Sequence, residues 1–302
     1  MDKLKQIEAF VAANRWGTLA RAAQVIGVTP AMLGRRINGL ESRLGVRLLH
    51  RSTRHLGLTE EGVVFLEQCK KLLVDLESAE EQVTATRTGA RGHLSVTAPS
   101  GYGRGHVAPH GPSFMAENPE ASLSFHLDDR VTDLKREGYD LGIRIGDISD
   151  LDLVAIRLAP NRRVVCASPS YLERKGIPRT PADLQRHNCL AFNPLGGQQG
   201  GWDFLENGRK VTIRVAGDLN CNDGEMLHRW ACQGLGLAWR STWEIQAEIE
   251  SGELVTVLDE FTLTNYDIYA VYPQQQHIPA KTRLFVEHLK AVYGTPDYWS
   301  AS

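Results

Sequence analysis

Thr18-Leu19-Ala20-Arg21-Ala22-Ala23-Gln24-Val25-Ile26-Gly27-Val28-Thr29-Pro30 is the stretch whose reading decides the fold. Thr18 supplies a hydroxyl that caps a helix start. Leu19, Ala22, Ala23 and Ile26 then form one apolar face at helical spacing. The small pair Ala22-Ala23 lets a second helix come close. Gly27 suits the left-handed residue that ends a helix, and Val28 is placed to plug the turn. Thr29 is a second cap. Pro30 follows at the first helical position, where a missing N–H costs nothing. The reading is two helices joined by a tight turn.

Working outward, Leu4, Ile7, Phe10 and Val11 predict an earlier helix that ends at Trp16-Gly17. Downstream, Leu33, Ile37, Leu40 and Leu44 are the buried stripe of the capped helix, and Gly45 stops it. Its other face presents Ala31, Met32, Gly34, Arg35, Arg36 and Asn38. Arginine forks onto guanine, asparagine onto adenine, and either onto phosphate, so this face suits a major groove. Leu48-Leu49 and Leu56-Gly57-Leu58 flank a polar tip, His50-Arg51-Ser52-Thr53-Arg54-His55, which reads as a two-stranded wing. Such a tip fits along a DNA backbone or into a narrow minor groove.

Charge agrees. Residues 1–58 carry ten Lys/Arg against three acids, net +7, whereas the whole 302-residue chain is at −2. A basic head on an acidic body is expected where one end meets phosphate. A capped helix with surface arginines is usually a solvated face, and a basic hairpin is usually only soluble. The conjunction is what argues: two short helices, a glycine turn, a capped basic helix and a basic hairpin in succession.

That run, with Arg35-Arg36-Ile37-Asn38-Gly39-Leu40-Glu41-Ser42-Arg43-Leu44-Gly45-Val46-Arg47-Leu48-Leu49-His50-Arg51 and then Leu58-Thr59-Glu60-Glu61-Gly62, resembles the LysR-type transcriptional regulators. The resemblance extends over the chain in order and length. It implies an α+β multi-domain protein: an N-terminal winged helix-turn-helix over 1–58, a linker and dimerisation helix over 59–88, a short hinge at 89–92, and a bilobal α/β effector-binding domain over 93–302 resembling the periplasmic binding proteins. Lobe I is expected at about 93–163 with 268–302, and lobe II at about 164–267. The DNA-binding set carried over is Thr18, Thr29, Pro30, Ala31, Met32, Gly34, Arg35, Arg36, Asn38, Arg51, Ser52, Thr53 and Arg54. Two positions depart from the family: Met32 stands where a small residue is usual, and Gly34 where a serine is. An altered operator preference is expected there.

In the linker, Val63, Leu66, Cys69, Leu73, Leu76 and Val83 follow three/four spacing, interrupted by Glu80, with Phe65, Leu72 and Ala79 as a second row. That is more apolar surface than one small head covers, and it argues for a partner helix. The expected partners are duplex DNA, a second copy of the chain as dimer or tetramer, a small-molecule effector, and RNA polymerase.

The body alternates apolar strands with amphipathic helices, the α/β pattern. Strands are expected at Leu94–Ala98, Leu123–Leu127, Leu141–Ile145, Val164–Cys166, Leu190–Phe192, Leu235–Trp239 and Ile268–Tyr272, with a last helix over 280–293. Ligands on such sheets sit at strand C-termini. That rule selects Thr97, Pro99, Ser100, Gly101, Tyr102, Leu127, Asp128, Arg144, Ile145 and Gly146 from lobe I. From lobe II it selects Phe192, Asn193, Trp202, Asn222, Asp223 and Gly224. Hydroxyls and helix N–H groups suit a carboxylate, and the aromatic side chains suit an apolar or aromatic body.

A hydrolase using Ser100 with His106 is the enzymatic alternative. No G-x-S-x-G elbow, dinucleotide glycine fingerprint or P-loop is present, so no enzyme activity and no cofactor or metal are expected. A DNA-binding architectural protein that senses nothing is the other alternative. The five cysteines (Cys69, Cys166, Cys189, Cys221, Cys232) have no zinc-site spacing and read as small thiols in a reducing compartment. No apolar run approaches the ~18 residues that span a bilayer. The start Met1-Asp2-Lys3 turns amphipathic at once, so a cytoplasmic protein without membrane association is expected.

Overall fold

The computed structural model describes residues 2–51, 56–83, 89–193, 201–264, 266–274, 278–295 and 298–299. The chain divides into two compact units, one built on Met1–Thr88 and the other on Gly89–Gln276 with Ala280–Ser302.

In the first unit, α1 (Lys3–Trp16) starts at Asp2, whose carboxylate accepts the Leu4 N–H at 3.0 Å. Thr18 caps α2 (Leu19–Val25), accepting from the Arg21 N–H, and Gly27 turns the chain at φ +67°. Thr29 caps α3 (Pro30–Leu44) by accepting the Met32 N–H at 3.2 Å. The core is where the spacing puts it: Phe10, Ala22, Ala23, Leu33, Ile37 and Leu40 are fully buried. Two short antiparallel strands follow, β1 (Leu49–Arg51) and β2 (Leu56–Leu58), paired Leu49 with Leu58. The wing-tip residues Ser52, Thr53, Arg54 and His55 lie outside the described residues.

The long helix α4 (Glu60–Val83) is capped by Thr59, whose hydroxyl accepts the Gly62 N–H at 2.9 Å and donates to the Arg47 carbonyl at 2.7 Å. Gly62 is required by close approach, since a Cβ there would lie 2.0 Å from the Leu48 carbonyl oxygen. Leu66 and Cys69 are buried in the head core and Phe65 packs against it, its ring 5.9 Å from that of Phe10. Residues 84–88, expected to continue the helix, lie outside the described residues.

The second unit has two five-stranded sheets. The first lobe contains β3 (Gly92–Ala98), α5 (Ser100–Tyr102), α6 (Gly111–Glu117), β4 (Ala121–Leu127), α7 (Leu134–Glu137), β5 (Leu141–Ile145) and β6 (Leu153–Ala159). The second lobe contains β7 (Arg163–Ala167), α8 (Pro169–Lys175), β8 (Cys189–Phe192), β9 (Gly201–Glu206), β10 (Arg209–Arg214), β11 (Asn220–Cys221), α9 (Gly224–Cys232), β12 (Leu237–Ser241), α10 (Thr242–Ser251) and β13 (Val255–Val257). The chain then returns to the first lobe through β14 (Ile268–Pro273) and α11 (Ala280–Tyr293). Sheet order is β4-β3-β5-β14-β6 in one lobe and β11-β8-β12-β7-β13 in the other. β3 runs parallel to β4 and β5, and β14 is antiparallel to both neighbours.

Ala90, just past the division between the units, is buried and its N–H donates to Asn118 Oδ1 at 2.7 Å. Two observations differ from the expectation. β6 and β13 complete the sheet edges and were absent from the expected strands. β9 and β10 form a separate hairpin in register Arg209 to Glu206, closed by Asn207-Gly208, both at positive φ. That is the two-residue turn an Asn-Gly pair favours.

Between the lobes run two connecting segments, stapled by the buried Asn161. Its side-chain amide donates to Ser241 Oγ at 3.2 Å and to the Tyr266 carbonyl at 2.9 Å. Its backbone N–H donates to Asp267 Oδ1 at 3.2 Å.

Candidate DNA-reading surface and effector cleft

The outer face of α3 is built by its cap and its stripe. With Leu33, Ile37 and Leu40 inward, Thr29, Pro30, Ala31, Met32, Arg35 and Asn38 are exposed, and Gly34 and Arg36 are half-buried beside them. Thr18 is exposed at the start of α2. Met32 is not inert: Arg36 Nη2 lies 3.7 Å from its sulfur, one turn away. The atypical methionine therefore helps to place a cation on this surface.

A residue that sequence reasoning left without a role holds the helix to the wing. Glu41 is 5% exposed, and its Oε1 accepts the backbone N–H groups of Leu48 and Leu49 at 2.9 and 3.2 Å. Arg47 Nη1 donates to its other oxygen at 3.1 Å. The start of the wing is thereby fixed against the end of α3.

In the second unit a cavity of about 570 Å³ opens between the two lobes, within the size range of small-molecule sites. Of the expected residues, Pro99, Gly101, Tyr102, Asp128, Arg144 and Ile145 line it from the first lobe, and Phe192, Trp202 and Gly224 from the second. Thr97, Ser100, Leu127, Gly146, Asn193, Asn222 and Asp223 are not in the lining. Thr97 is buried in the first lobe, and Leu127 packs over Gly103. The Ser100 N–H donates to Asp129 Oδ1 at 2.6 Å. Gly146 backs onto the Tyr266 ring, and the Asn193 N–H donates to the Cys221 carbonyl at 2.8 Å. Asn222 Oδ1 lies 3.9 Å from the Cys221 sulfur. Asp223 caps α9, accepting from Glu225 and Met226 N–H groups.

The lining also holds residues the strand-end rule passed over: Asp129, Arg130, Arg163, Trp239, Arg240, Trp243 and Glu244. Arg240 Nη2 contacts both oxygens of Glu244 at 2.6 Å, and its guanidinium fills the space a Cβ on Gly224 would need. Asp128 is held below the usual carboxylate range by hydrogen bonds from Arg130. Burial lowers Arg144, which donates to the Thr132 carbonyl. At the cavity mouth Arg104 Nη1, of the first lobe, lies 2.7 Å from Glu225 Oε2 of the second. Among the described residues no histidine is hydrogen-bonded to the Ser100 hydroxyl. His106, the expected partner, instead pairs its Nδ1 with the Tyr298 hydroxyl at 3.0 Å.

Known proteins share both halves. Residues 4–63 match the family described as bacterial regulatory helix-turn-helix protein, lysR family, and residues 87–294 match the LysR substrate binding domain. The chain belongs to the LysR family of transcriptional regulators. This LysR-family regulator is 36% identical over 290 residues to the HTH-type transcriptional regulator DmlR of Escherichia coli K12, covering 96% of this chain and 94% of that one. It is 34% identical to the HTH-type transcriptional activator TtdR of the same strain, covering 95% and 92%. Among solved structures, it resembles full-length AphB, the Vibrio cholerae virulence activator (TM-score 0.59, 28% identity, 97% and 100% covered). It also resembles CrgA of Neisseria meningitidis, again at TM-score 0.59 and 28% identity, with 96% and 98% covered. The LysR-family regulator thus carries a helix-turn-helix DNA-binding domain and a two-lobed α/β substrate-binding domain.

Proposed function

We propose that this regulator is a non-enzymatic sensor. It reads a two-fold duplex site with the exposed face of α3 and the wing, and its occupancy is controlled by a small acid in the interlobe cleft. The observation that carries this reading is the joining in one chain of a capped, exposed basic helix and an open cavity walled by both lobes. Arg35 and Asn38 supply groups for base edges. Thr29, Pro30, Ala31, Met32, Gly34 and Arg36 shape the approach. Thr18 and the wing residues Arg51, Ser52, Thr53 and Arg54 hold phosphate or the minor groove. Two heads on a two-fold site require two copies of the chain, with α4 as the pairing element. In the cleft, arginines and aromatic rings favour a carboxylate or aromatic acid. Closure of the lobes is the switch, and the ligand shifts it only by its differential affinity for the two arrangements. The regulator works in the cytoplasm, and its output is a change in how RNA polymerase engages the neighbouring promoter.

Arg35→Ala tests the reading surface. Specific DNA affinity should fall by roughly 1–3 kcal/mol in a fluorescence-anisotropy titration against an operator recovered from genomic fragments. Nonspecific affinity should fall less. Unchanged operator affinity would remove Arg35 from the reading face. Binding should also weaken steeply with salt, because the head carries a net +7.

A further inference from the structure

Four arginines line the cleft: Arg130, Arg144, Arg163 and Arg240. Three are already engaged. Arg130 lies 2.8 Å from Asp128, Arg144 donates to the Thr132 carbonyl, and Arg240 is held by Glu244. Arg163 differs. Among the described residues no carboxylate or carbonyl oxygen accepts from its guanidinium. It is stacked instead on two rings, its Cζ 4.9 Å from the Trp239 centroid and 5.3 Å from that of Tyr266.

The stack is braced from behind. The Tyr266 hydroxyl donates to Asp203 Oδ2 at 3.0 Å, while Lys210 Nζ and Thr212 Oγ1 hold the same carboxylate at 2.9 and 2.6 Å. Asp203 is thus occupied with its own partners and holds Tyr266 in place under Arg163. Burial, and the like charge of Arg240 nearby, press the Arg163 guanidinium below its ordinary pKa range. A sheltered cation without an acceptor is costly in a folded protein. A planar guanidinium fixed between rings is also well formed for a two-pronged grip on a carboxylate. The acids of the lining do not supply that grip: Asp128 serves Arg130, Asp129 serves the Ser100 N–H, Glu225 serves Arg104, Glu244 serves Arg240, and Glu137 makes no hydrogen bond or ion pair with Arg163.

We infer that Arg163 is the anchor for the acidic group of the effector, taking a carboxylate on its cleft-facing edge. The inference rests on the cleft being the effector site. Phe192 and Trp202 line the same cavity and take the apolar part of the acid. Because Arg163 also stacks on Tyr266, which lies on a segment linking the lobes, the anchor touches the hinge that closure must move.

The test is calorimetric titration of the full chain with succinate, benzoate and salicylate and with the three corresponding amides. At least one acid should bind the native protein at least tenfold more tightly than its amide. That acid should bind Arg163→Gln at least tenfold more weakly, with part of the affinity restored in Arg163→Lys. The comparison of acid with amide needs no variant and stands if Arg163→Gln fails to fold. Hydrogen exchange locates the bound acid, with protection expected at residues 99–102 and 239–244. An acid that protects those segments yet binds Arg163→Gln within twofold of native overturns the anchor and leaves the cleft reading intact. Binding without that protection overturns both. An amide equal to its acid, or no binding by any of the six, overturns the anchor.

Discussion

At the scale of single residues, two buried ionisable side chains have consequences larger than their size. Glu41 satisfies two backbone N–H groups at the entry to the wing. Removing its carboxylate strands both, at about 1–3 kcal/mol for each buried donor. Glu41→Ala should therefore destabilise the head by about 2–6 kcal/mol in urea unfolding, and Glu41→Gln, which keeps one oxygen, by less. Equal stability of the alanine variant would show that water replaces the carboxylate. His106 is the second. It is 6% exposed, and burial, followed by the like charge of His110, lowers its pKa to about 4. The folded chain holds it neutral, whereas the unfolded chain takes up a proton near 6.5. Its contribution is therefore complete above pH 6.5 and is lost as the pH falls toward 4, up to about 3 kcal/mol in total. Thermal midpoints across that window should fall more steeply for the native chain than for His106→Gln. Parallel curves would exclude His106 as the source of the slope.

At the scale of elements, α4 divides its apolar residues between two tasks. Leu66 and Cys69 are buried in the head core with Phe65 beside them, whereas Val63, Val64 and Leu72 are 51%, 68% and 48% exposed. Val64 and Leu72 stand two turns apart on one side of the helix, and exposed aliphatics on a long helix are what a partner helix covers. Leu72→Glu should shift sedimentation toward monomer while leaving the head folded. A native chain that sediments as a monomer, or a variant that keeps the native assembly, would remove this face from the interface. The elements also show why parts of the molecule were readable in advance. Caps and stripes are local, so Thr18, Thr29, Pro30 and the Leu33-Ile37-Leu40 row announced α2 and α3 directly. Asn207-Gly208 is an equally local hairpin signal, set between two strands of six residues whose weaker alternation hides them. Glu41 gave no signal, because its partners are backbone groups brought near only by folding. In the cleft, the rule that ligands sit beyond strand C-termini found Pro99, Gly101, Tyr102, Asp128 and Arg144. It missed Arg163 for a geometric reason. β7 runs antiparallel to β12, with Arg163 opposite Ser241, so the start of one strand lies beside the end of the other at the cleft.

At the scale of the whole effector domain, what matters is how firmly the lobes are held in the arrangement seen here. Asn161 ties the connecting segments with buried hydrogen bonds, so the hinge is specified in detail. Trp243 of the second lobe packs its ring on Tyr102 and His106 of the first, at 5.1 and 5.3 Å, and at the mouth Arg104 and Glu225, 57% and 37% exposed, pair across the lobes, with Glu225 shared with Arg229 at 2.5 Å. An exposed pair of this kind contributes about 0–1 kcal/mol. It is enough to bias two lobe arrangements by up to about fivefold and too little to lock them. Arg104→Ala should therefore weaken binding of a cleft-binding acid by no more than about fivefold. The loss should shrink at high salt, where the native pair is itself screened. The measurement is a calorimetric titration of both proteins at low and high ionic strength. A loss beyond tenfold, or one that persists unchanged in high salt, would mean that Arg104 contacts the ligand itself rather than the opposite lobe.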